Sequence, residues 1–253
     1  MAPVSDRPLK LRLIACNALL RELCHLVSRS PHIFDLDFNE LDAHRHSESL
    51  RALIQHGIDA ADGAGYDAIL LGYGLCGNAA AGLRAGATRV VIPRAHDCCT
   101  LLLGSRQEFK RLFRDNPSQP FSSTGYGERA VAPFHEGLEG GPSDAVYREY
   151  VEKYGEENAR YICEAMSAPA RKGDRLVFID VPETAHLGAA ARCEERALAE
   201  GREYTRLTGS LELLRRLVDA EWGPDFLVLE PGQRVAATLG EEVIVRMDAE
   251  VRK

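Results

Sequence analysis

Short apolar runs alternate with amphipathic segments over most of the chain. The apolar runs are rich in Leu, Ile and Val and mostly continuous, which is typical of β-strands covered on both faces. We predict strands at residues 11–16, 33–38, 68–74, 90–93, 175–180, 204–207, 226–230 and 243–247. Between these runs, apolar residues recur at helical spacing. This spacing predicts helices at residues 18–28, 47–64, 101–113, 145–165, 184–200 and 210–218.

The order of these elements predicts an α/β fold. Strands that alternate with helices favour mostly parallel sheets flanked by helices, a Rossmann-like arrangement in one sheet or in two lobes. We divide the chain into an N-terminal α/β half (1–114), a Gly- and Pro-rich connecting loop or lid (115–144) and a C-terminal α/β half (145–253). Within the connecting loop, Tyr126 lies between two glycines and is expected to be solvated.

Composition and charge narrow the class of protein. The 253 residues are 45% apolar and 27% charged, which is typical of a soluble globular protein. The net charge of −7 and the lack of any Lys/Arg run argue against a nucleic-acid partner. The longest apolar runs are too short to cross a membrane, and the N-terminus lacks the apolar region of an export signal. We therefore expect a cytoplasmic protein with no membrane partner.

Seven cysteines occur in the chain, an odd number that argues against a disulfide framework in a reducing compartment. Cys24, Cys163 and Cys193 lie in helix-like segments and are predicted to be structural, since free cysteine is commonly buried.

Three other cysteines follow predicted strands, at the end where ligands bind in open α/β sheets. The first strand ends at Cys16, the third is followed by Cys76, and the fourth by His96 and Cys98. Thiolate and imidazole are the ligands that zinc prefers, and they also suit iron and copper. The sequence therefore predicts a metal site made by Cys16, Cys76, His96 and Cys98, which has an open position if one of them is not a ligand.

Two other interpretations of this cluster stay open. A metal-free thiolate nucleophile with His96 as its base would use the same residues. In the second interpretation the residues are structural: Asp97 caps the next helix, and Cys76 occupies a tight turn because it is small.

A glycine-rich segment, GYGLCGN, follows the third predicted strand. It matches G-x-G-x-x-G, but no acidic residue ends the next strand, so the match favours close approach of a small-molecule ligand over a dinucleotide site. The proposed ligand-binding residues are Gly72, Tyr73, Gly74, Gly77, Asn78 and, for a carboxylate or phosphate, Arg94.

Three residues are candidates for proton transfer or for positioning. Asp97 or Glu22 would orient the histidine or accept a proton. His44, close to His46 before a predicted helix, would act as an acid or base near pH 7.

Several stretches together resemble one known family, domain-of-unknown-function family 1638. They span nearly the whole chain in order: IACNALLREL, YDAILLGYGLCGN, PRAHDCCTLLLGSR, KYGEENARY, LTGSLELLRRLV and DFLVLEPGQ. The chain departs from the family pattern after Pro120, where FSSTGYGER stands in place of an aromatic-rich segment that ends in Gly-Trp. The resemblance implies methyl transfer or its support, with a corrinoid protein or a methyltransferase as partner.

Together, the residues and the resemblance lead to one main functional hypothesis. It is a metalloprotein, zinc-like with iron or copper as alternatives, that catalyses methyl or one-carbon transfer to a metal-activated thiol, thioether or similar small-molecule acceptor. The alternatives are a non-catalytic module that holds a metal, corrinoid or small ligand for a methyltransferase, and a metal-free thiol enzyme.

Overall fold

The computed structural model describes residues 7–40, 47–114, 116, 119–129, 147–148, 151, 155–156, 160, 175–237 and 244–247. Its strands are β1 (Lys10–Cys16), β2 (Ile33–Asn39), β3 (Ala68–Gly72), β4 (Val90–Pro93), β5 (Phe121–Ser122), β6 (Arg175–Asp180), β7 (Glu203–Thr208), β8 (Phe226–Leu229), β9 (Arg234–Ala237) and β10 (Ile244–Met247).

The main sheet has five strands in the order β2-β1-β3-β4-β8. The first four are parallel, and β8 pairs antiparallel with β4 at the edge. Every residue of β3 and β4 is buried, as their continuous apolar sequences predict. From β1 the chain goes first to β2 on one side and then to β3 on the other. The carboxyl ends of β1 and β3 therefore form a topological switch point, where doubly wound folds bind ligands.

Seven α-helices are described. They are α1 (Leu20–Val27), α2 (Ser47–Ala61), α3 (Cys98–Leu103), α4 (Arg106–Phe113), α5 (Thr124–Arg129), α6 (Ala189–Ala199) and α7 (Glu212–Val218). The 3₁₀ turns Asn17–Leu19 and Ala185–Leu187 precede α1 and α6. None of the helices in the described segments is long and apolar enough to cross a membrane.

The predicted helix at 101–113 is in fact two helices. Gly104 adopts a left-handed conformation (φ 79°) that ends α3, and the Ser105 side chain accepts a hydrogen bond from the Glu108 N–H (3.1 Å) to cap α4.

A second parallel sheet, in the order β5-β6-β7, contacts the main sheet through connecting elements, with β6 against α3. The Ser210 N–H after β7 donates to the Leu102 carbonyl of α3 (2.8 Å). The α5 helix packs on the 3₁₀ turn after β1, where a Cβ added to Gly125 would lie 1.7 Å from the Ala18 carbonyl oxygen. These contacts bring the second sheet to the edge of the first that carries the cysteines. The remaining strands, β9 and β10, pair antiparallel.

The structure confirms the α/β class and mostly parallel sheets, and each predicted strand overlaps a strand of the structure. Two strands, β5 and β9, and the helix α5 were not predicted. The predicted helix at 145–165 lies mostly outside the described residues, and the division of the chain at 115–144 stays a prediction. β8, from the predicted C-terminal half, completes the first sheet.

Candidate functional site

Three cysteines meet at the carboxyl edge of the main sheet. Cys16 is the last residue of β1, Cys76 lies in the loop after β3, and Cys98 is the first residue of α3 after β4. The thiol of Cys98 hydrogen-bonds with the thiols of both Cys16 and Cys76. Cys98 is therefore the shared neighbour in a cluster built from the segments that follow the three strands β1, β3 and β4.

Two thiols of this cluster, those of Cys16 and Cys76, hold their protons tightly. The hydrogen bond with Cys98 and then burial raise the pKa of Cys16 and that of Cys76 well above the ordinary value. For Cys16, a hydrogen bond from the Ala18 N–H to the sulfur (3.4 Å) and the positive charge of Arg129 act in the opposite direction. A thiolate at Cys16 or Cys76 is therefore disfavoured unless a cation replaces the proton.

Two buried tyrosines lie beside the cysteine cluster. Tyr73, directly after β3, accepts a hydrogen bond from the Asn39 side chain (3.0 Å). Tyr126 of α5 packs edge-on against Phe121 (ring centroids 5.1 Å apart) and hydrogen-bonds with Cys98. Burial, and then the nearby thiols, raise the pKa of both phenols. Both rings are buried, and Tyr126 covers the thiol of Cys98.

The loop that carries Cys76 has an unusual backbone. Cys76, Gly77 and Asn78 all have positive φ angles (47°, 61° and 70°). The Cys76 N–H donates to the His96 carbonyl (3.0 Å), which ties this loop to the one before α3. A left-handed conformation is costly for a residue with a Cβ, so the surrounding structure holds Cys76 in a strained position.

This strain leads to a testable comparison of two variants that both lack the thiol. We expect Cys76→Gly to be more stable than Cys76→Ala by about 1 kcal/mol, because only glycine adopts the left-handed region without penalty. Urea unfolding of the two proteins measures the difference. An alanine variant at least as stable as the glycine variant would show that Cys76 is unstrained.

His96 and Asp97 form a pair beside the cluster. The His96 Nδ1 lies 3.2 Å from the Asp97 carboxylate, and this hydrogen bond raises the pKa of His96 against the effect of burial. The His96 ring stacks on Phe109 (5.5 Å between centroids), and its side chain is 48% exposed. Asp97 also caps α3 by accepting from the Thr100 N–H (3.0 Å). The capping role is thus present, whereas a catalytic role for Asp97 stays a prediction.

The predicted four-residue ligand set is only partly assembled. The three thiols converge, and the contacts of the His96 ring are with Asp97 and Phe109. As the side chains stand, the described segments contain no group of three or more His, Cys, Asp or Glu residues arranged to hold a metal ion.

The glycine-rich loop packs closely on its own neighbours. A Cβ on Gly72 would lie 2.5 Å from that of Ala15, and one on Gly74 would lie 2.8 Å from the Ala95 carbonyl oxygen. Gly77 has open space around it and, like Asn78, is exposed. These contacts explain Gly72 and Gly74 without a ligand, so the ligand-binding role of the loop stays a prediction.

Of the other predicted site residues, the structure describes Arg94 and Glu22. Arg94 is half-buried, and its backbone N–H donates a hydrogen bond to the Asp225 backbone carbonyl (2.7 Å). Glu22 is fully buried in α1, and burial raises its pKa from 4.5 to about 7. His44 and His46 lie outside the described residues.

The cysteines predicted to be structural are separate from the cluster where they are described. Cys193 of α6 packs on a small apolar group with Phe178 and Ala190. Burial raises the pKa of Cys24, and Arg129 opposes this rise. Cys163 lies outside the described residues.

Tyr126 is the residue that sequence reasoning placed wrongly. It was expected in a solvated loop, but it is 2% exposed. The reason is tertiary: glycine at position 125 allows α5 to touch the chain at Ala18, and this contact carries Tyr126 inward. The glycines on either side of Tyr126 were the only indication in the sequence that another segment packs closely here, but glycines are equally typical of an exposed turn. Sequence reasoning also missed Arg129 and Ser123 at this contact.

Fold and site together define an α/β protein with mostly parallel sheets and a cysteine cluster at the carboxyl edge of its main sheet. Comparison with protein families matches residues 38–218 to the family described as "Protein of unknown function (DUF1638)". The chain belongs to this family, which confirms the resemblance seen in its motifs. No curated protein and no solved structure matches the chain.

Proposed function

We propose that the protein binds a thiophilic metal ion through Cys16, Cys76 and Cys98, with zinc as the first candidate and iron or copper as alternatives. The observation that supports this most directly is the hydrogen bonding of the Cys98 thiol with both other thiols. Two thiols from distant parts of the chain thus share Cys98 as a neighbour, and three sulfur atoms are brought together where each S–H is only a weak donor.

Cysteine sulfur is the donor that such an ion prefers, and the three side chains would have to close around it as the thiols lose their protons. Metal binding replaces shared protons by a cation, so the affinity is expected to rise with pH. Three thiolates leave a fourth position for substrate or water, as in catalytic zinc sites. His96 would fill that position only by leaving Asp97 and Phe109.

We further propose that the site serves methyl or one-carbon transfer. A bound metal would supply a lowered pKa for a thiol or similar acceptor, which makes it nucleophilic at neutral pH. Tyr73 and Tyr126 place two buried rings beside the sulfur atoms, and Asp97 fixes the His96 ring. Glu22 is a candidate proton acceptor, since its pKa of about 7 lies near neutral pH. The proposed partner is a corrinoid protein or a methyltransferase.

The raised pKa values of Cys16 and Cys76 argue against a metal-free enzyme that uses either of these two cysteines as its nucleophile. A free cysteine nucleophile needs a lowered pKa and an electropositive setting. Here burial and the shared hydrogen bonds act in the opposite direction.

The metal content of purified protein tests the proposal. Protein prepared without chelator and dialysed against zinc is expected to retain about one equivalent of metal by mass spectrometry. Cys98→Ser should lose nearly all of it, because Cys98 contacts both other thiols, and Cys16→Ser and Cys76→Ser should weaken binding strongly. Cys193→Ser, remote from the cluster, is the matched control. Full metal content in Cys98→Ser, or none in the wild type, would contradict the proposal.

Turnover of methyl donors then separates an enzyme from an accessory protein. Methyl transfer by the metal-loaded protein alone supports the enzyme, whereas activity only after addition of a corrinoid protein supports the accessory role.

A further inference from the structure

A second polar cluster lies close to the cysteines, where the 3₁₀ turn before α1 meets the start of α5. The Ser123 hydroxyl and the side-chain oxygen of Asn17 are buried and lack a hydrogen-bond partner among the described residues. Both carboxylate oxygens of Glu22 are buried without a well-aligned donor, because the Thr184 hydroxyl that acts on Glu22 donates to the Val181 carbonyl (3.3 Å). Glu22 and Ser123 are both 0% exposed. Buried polar groups in folded proteins nearly always have partners. This cluster of orphaned oxygens therefore indicates that another molecule supplies the donors.

The backbone brings these residues to one contact. The Ala18 carbonyl touches Gly125; Asn17 is the residue before Ala18, and Ser123 lies two residues before Gly125. Glu22 lies in the first turn of α1, which follows this 3₁₀ turn directly. Its pKa responds to Glu128 of α5 and to Thr184, so it too lies toward the second sheet.

The chemistry of the cluster specifies its ligand. A carboxylate and an amide oxygen only accept hydrogen bonds, and the Ser123 hydroxyl is able to accept as well. A primary ammonium group has three N–H donors, no acceptor and one positive charge, which match three acceptors and one carboxylate. Divalent cations usually take six or more oxygen ligands and favour several carboxylates, and they fit this set poorly.

We propose that Glu22, Ser123 and Asn17 form a subsite for the primary ammonium group of a small-molecule ligand. Asn17 directly follows Cys16, so a ligand anchored here by its nitrogen lies next to the cysteine cluster. The subsite goes beyond the proposed metal centre and does not require a bound metal. Because Glu22 and Ser123 are buried, the ligand enters when α5 moves from the 3₁₀ turn, and the exposed Arg21–Glu128 ion pair (2.7 Å) is the surface contact it breaks.

Calorimetric titration with propylammonium chloride tests the subsite. Propylammonium is expected to bind more tightly than 1-propanol, its uncharged analogue. Glu22→Gln should weaken binding by at least about tenfold, because it removes the buried charge of the pair. Ser123→Ala should weaken it less, and Glu195→Gln on the exposed face of α6 is the matched control. Equal binding of propylammonium and 1-propanol would leave only buried water at these oxygens, and equal competition by potassium would indicate an inorganic cation site. Either result overturns the proposal.

Proton release gives a second measurement. The charged groups that act on Glu22 are Arg21 on its own helix and Glu128 on α5. Because burial holds the pKa of Glu22 at about 7, an arriving ammonium should lower it and release a proton at pH 6 but not at pH 8. Titrations in buffers of different ionisation enthalpy detect this proton, and Glu22→Gln should abolish its release. Unchanged proton release in Glu22→Gln would contradict the assignment. Metal content measured in parallel keeps failure of the subsite distinguishable from failure of the metal site.

Discussion

Replacing Gly125 by alanine is expected to destabilise the protein by about 3 kcal/mol, among the larger effects that one added methyl group produces. The new Cβ would lie 1.7 Å from the Ala18 carbonyl oxygen and 2.6 Å from its carbonyl carbon. Both atoms belong to the backbone, so no side chain is able to rotate away. The 3₁₀ turn and α5 must instead move apart by more than about 1 Å, which opens the contact between the two sheets.

The same helix provides the control for this substitution. A Cβ on Gly127 would meet nothing within 4 Å, and the residue is exposed. Gly127→Ala is therefore expected to be neutral or to stabilise the protein by about 0.5 kcal/mol through the lower entropy of the unfolded chain. Thermal unfolding compares the two variants, and the Tm of Gly125→Ala should fall by roughly 10 °C.

Labelling with iodoacetamide detects detachment of α5 alone, in case the rest of the protein stays folded. Tyr126 would leave Cys98, and the buried Cys16 and Cys98 should then react faster than in Gly127→Ala. A Gly125→Ala protein with wild-type Tm and wild-type labelling would show that α5 does not pack on the 3₁₀ turn in this way.

The main sheet could be predicted from sequence because its strands are covered on both faces. Buried parallel strands leave continuous apolar runs, as in Ala68–Gly72 and Val90–Pro93. The meeting of Cys16, Cys76 and Cys98 was also predictable, since the carboxyl ends of parallel strands share one edge. Both predictions depend only on local sequence: the apolar residues of each strand and the residues that follow it.

The helix α5 could not be predicted in the same manner. Its six residues, TGYGER, hold two glycines and too few apolar positions for a helical period. Its position in the fold depends on the backbone contact of Gly125 with Ala18, which is more than 100 positions away in the chain. The direction of the His96 ring could not be predicted from the sequence either. Its spacing from Cys98 placed His96 near the cluster, but contacts with Asp97 and with the ring of Phe109 hold the His96 ring outward.

Replacing Glu22 by glutamine is expected to change how stability depends on pH. The folded protein raises the pKa of this carboxyl from 4.5 to about 7, chiefly because burial penalises the charged form. Below pH 4.5 the group is neutral in both states and contributes no difference. Between pH 4.5 and 7 the unfolded chain ionises while the folded protein keeps its proton, so the wild type loses stability as the pH rises. Above pH 7 the loss is complete, and it amounts to about 3 kcal/mol.

Glutamine keeps the shape of the side chain but does not titrate. The stability of Glu22→Gln relative to the wild type should therefore rise by about 3 kcal/mol between pH 4.5 and pH 8, whatever constant cost the amide adds. Urea unfolding at pH 4.5, 6 and 8 without added amine measures this difference, and Glu195→Gln on the surface of α6 serves as control. A difference that stays constant over this range would mean that Glu22 ionises normally in the folded protein. A carboxylate of that kind would already have a cationic or hydrogen-bonding partner within the chain, and α1 would then lack the orphaned charge that calls for a ligand.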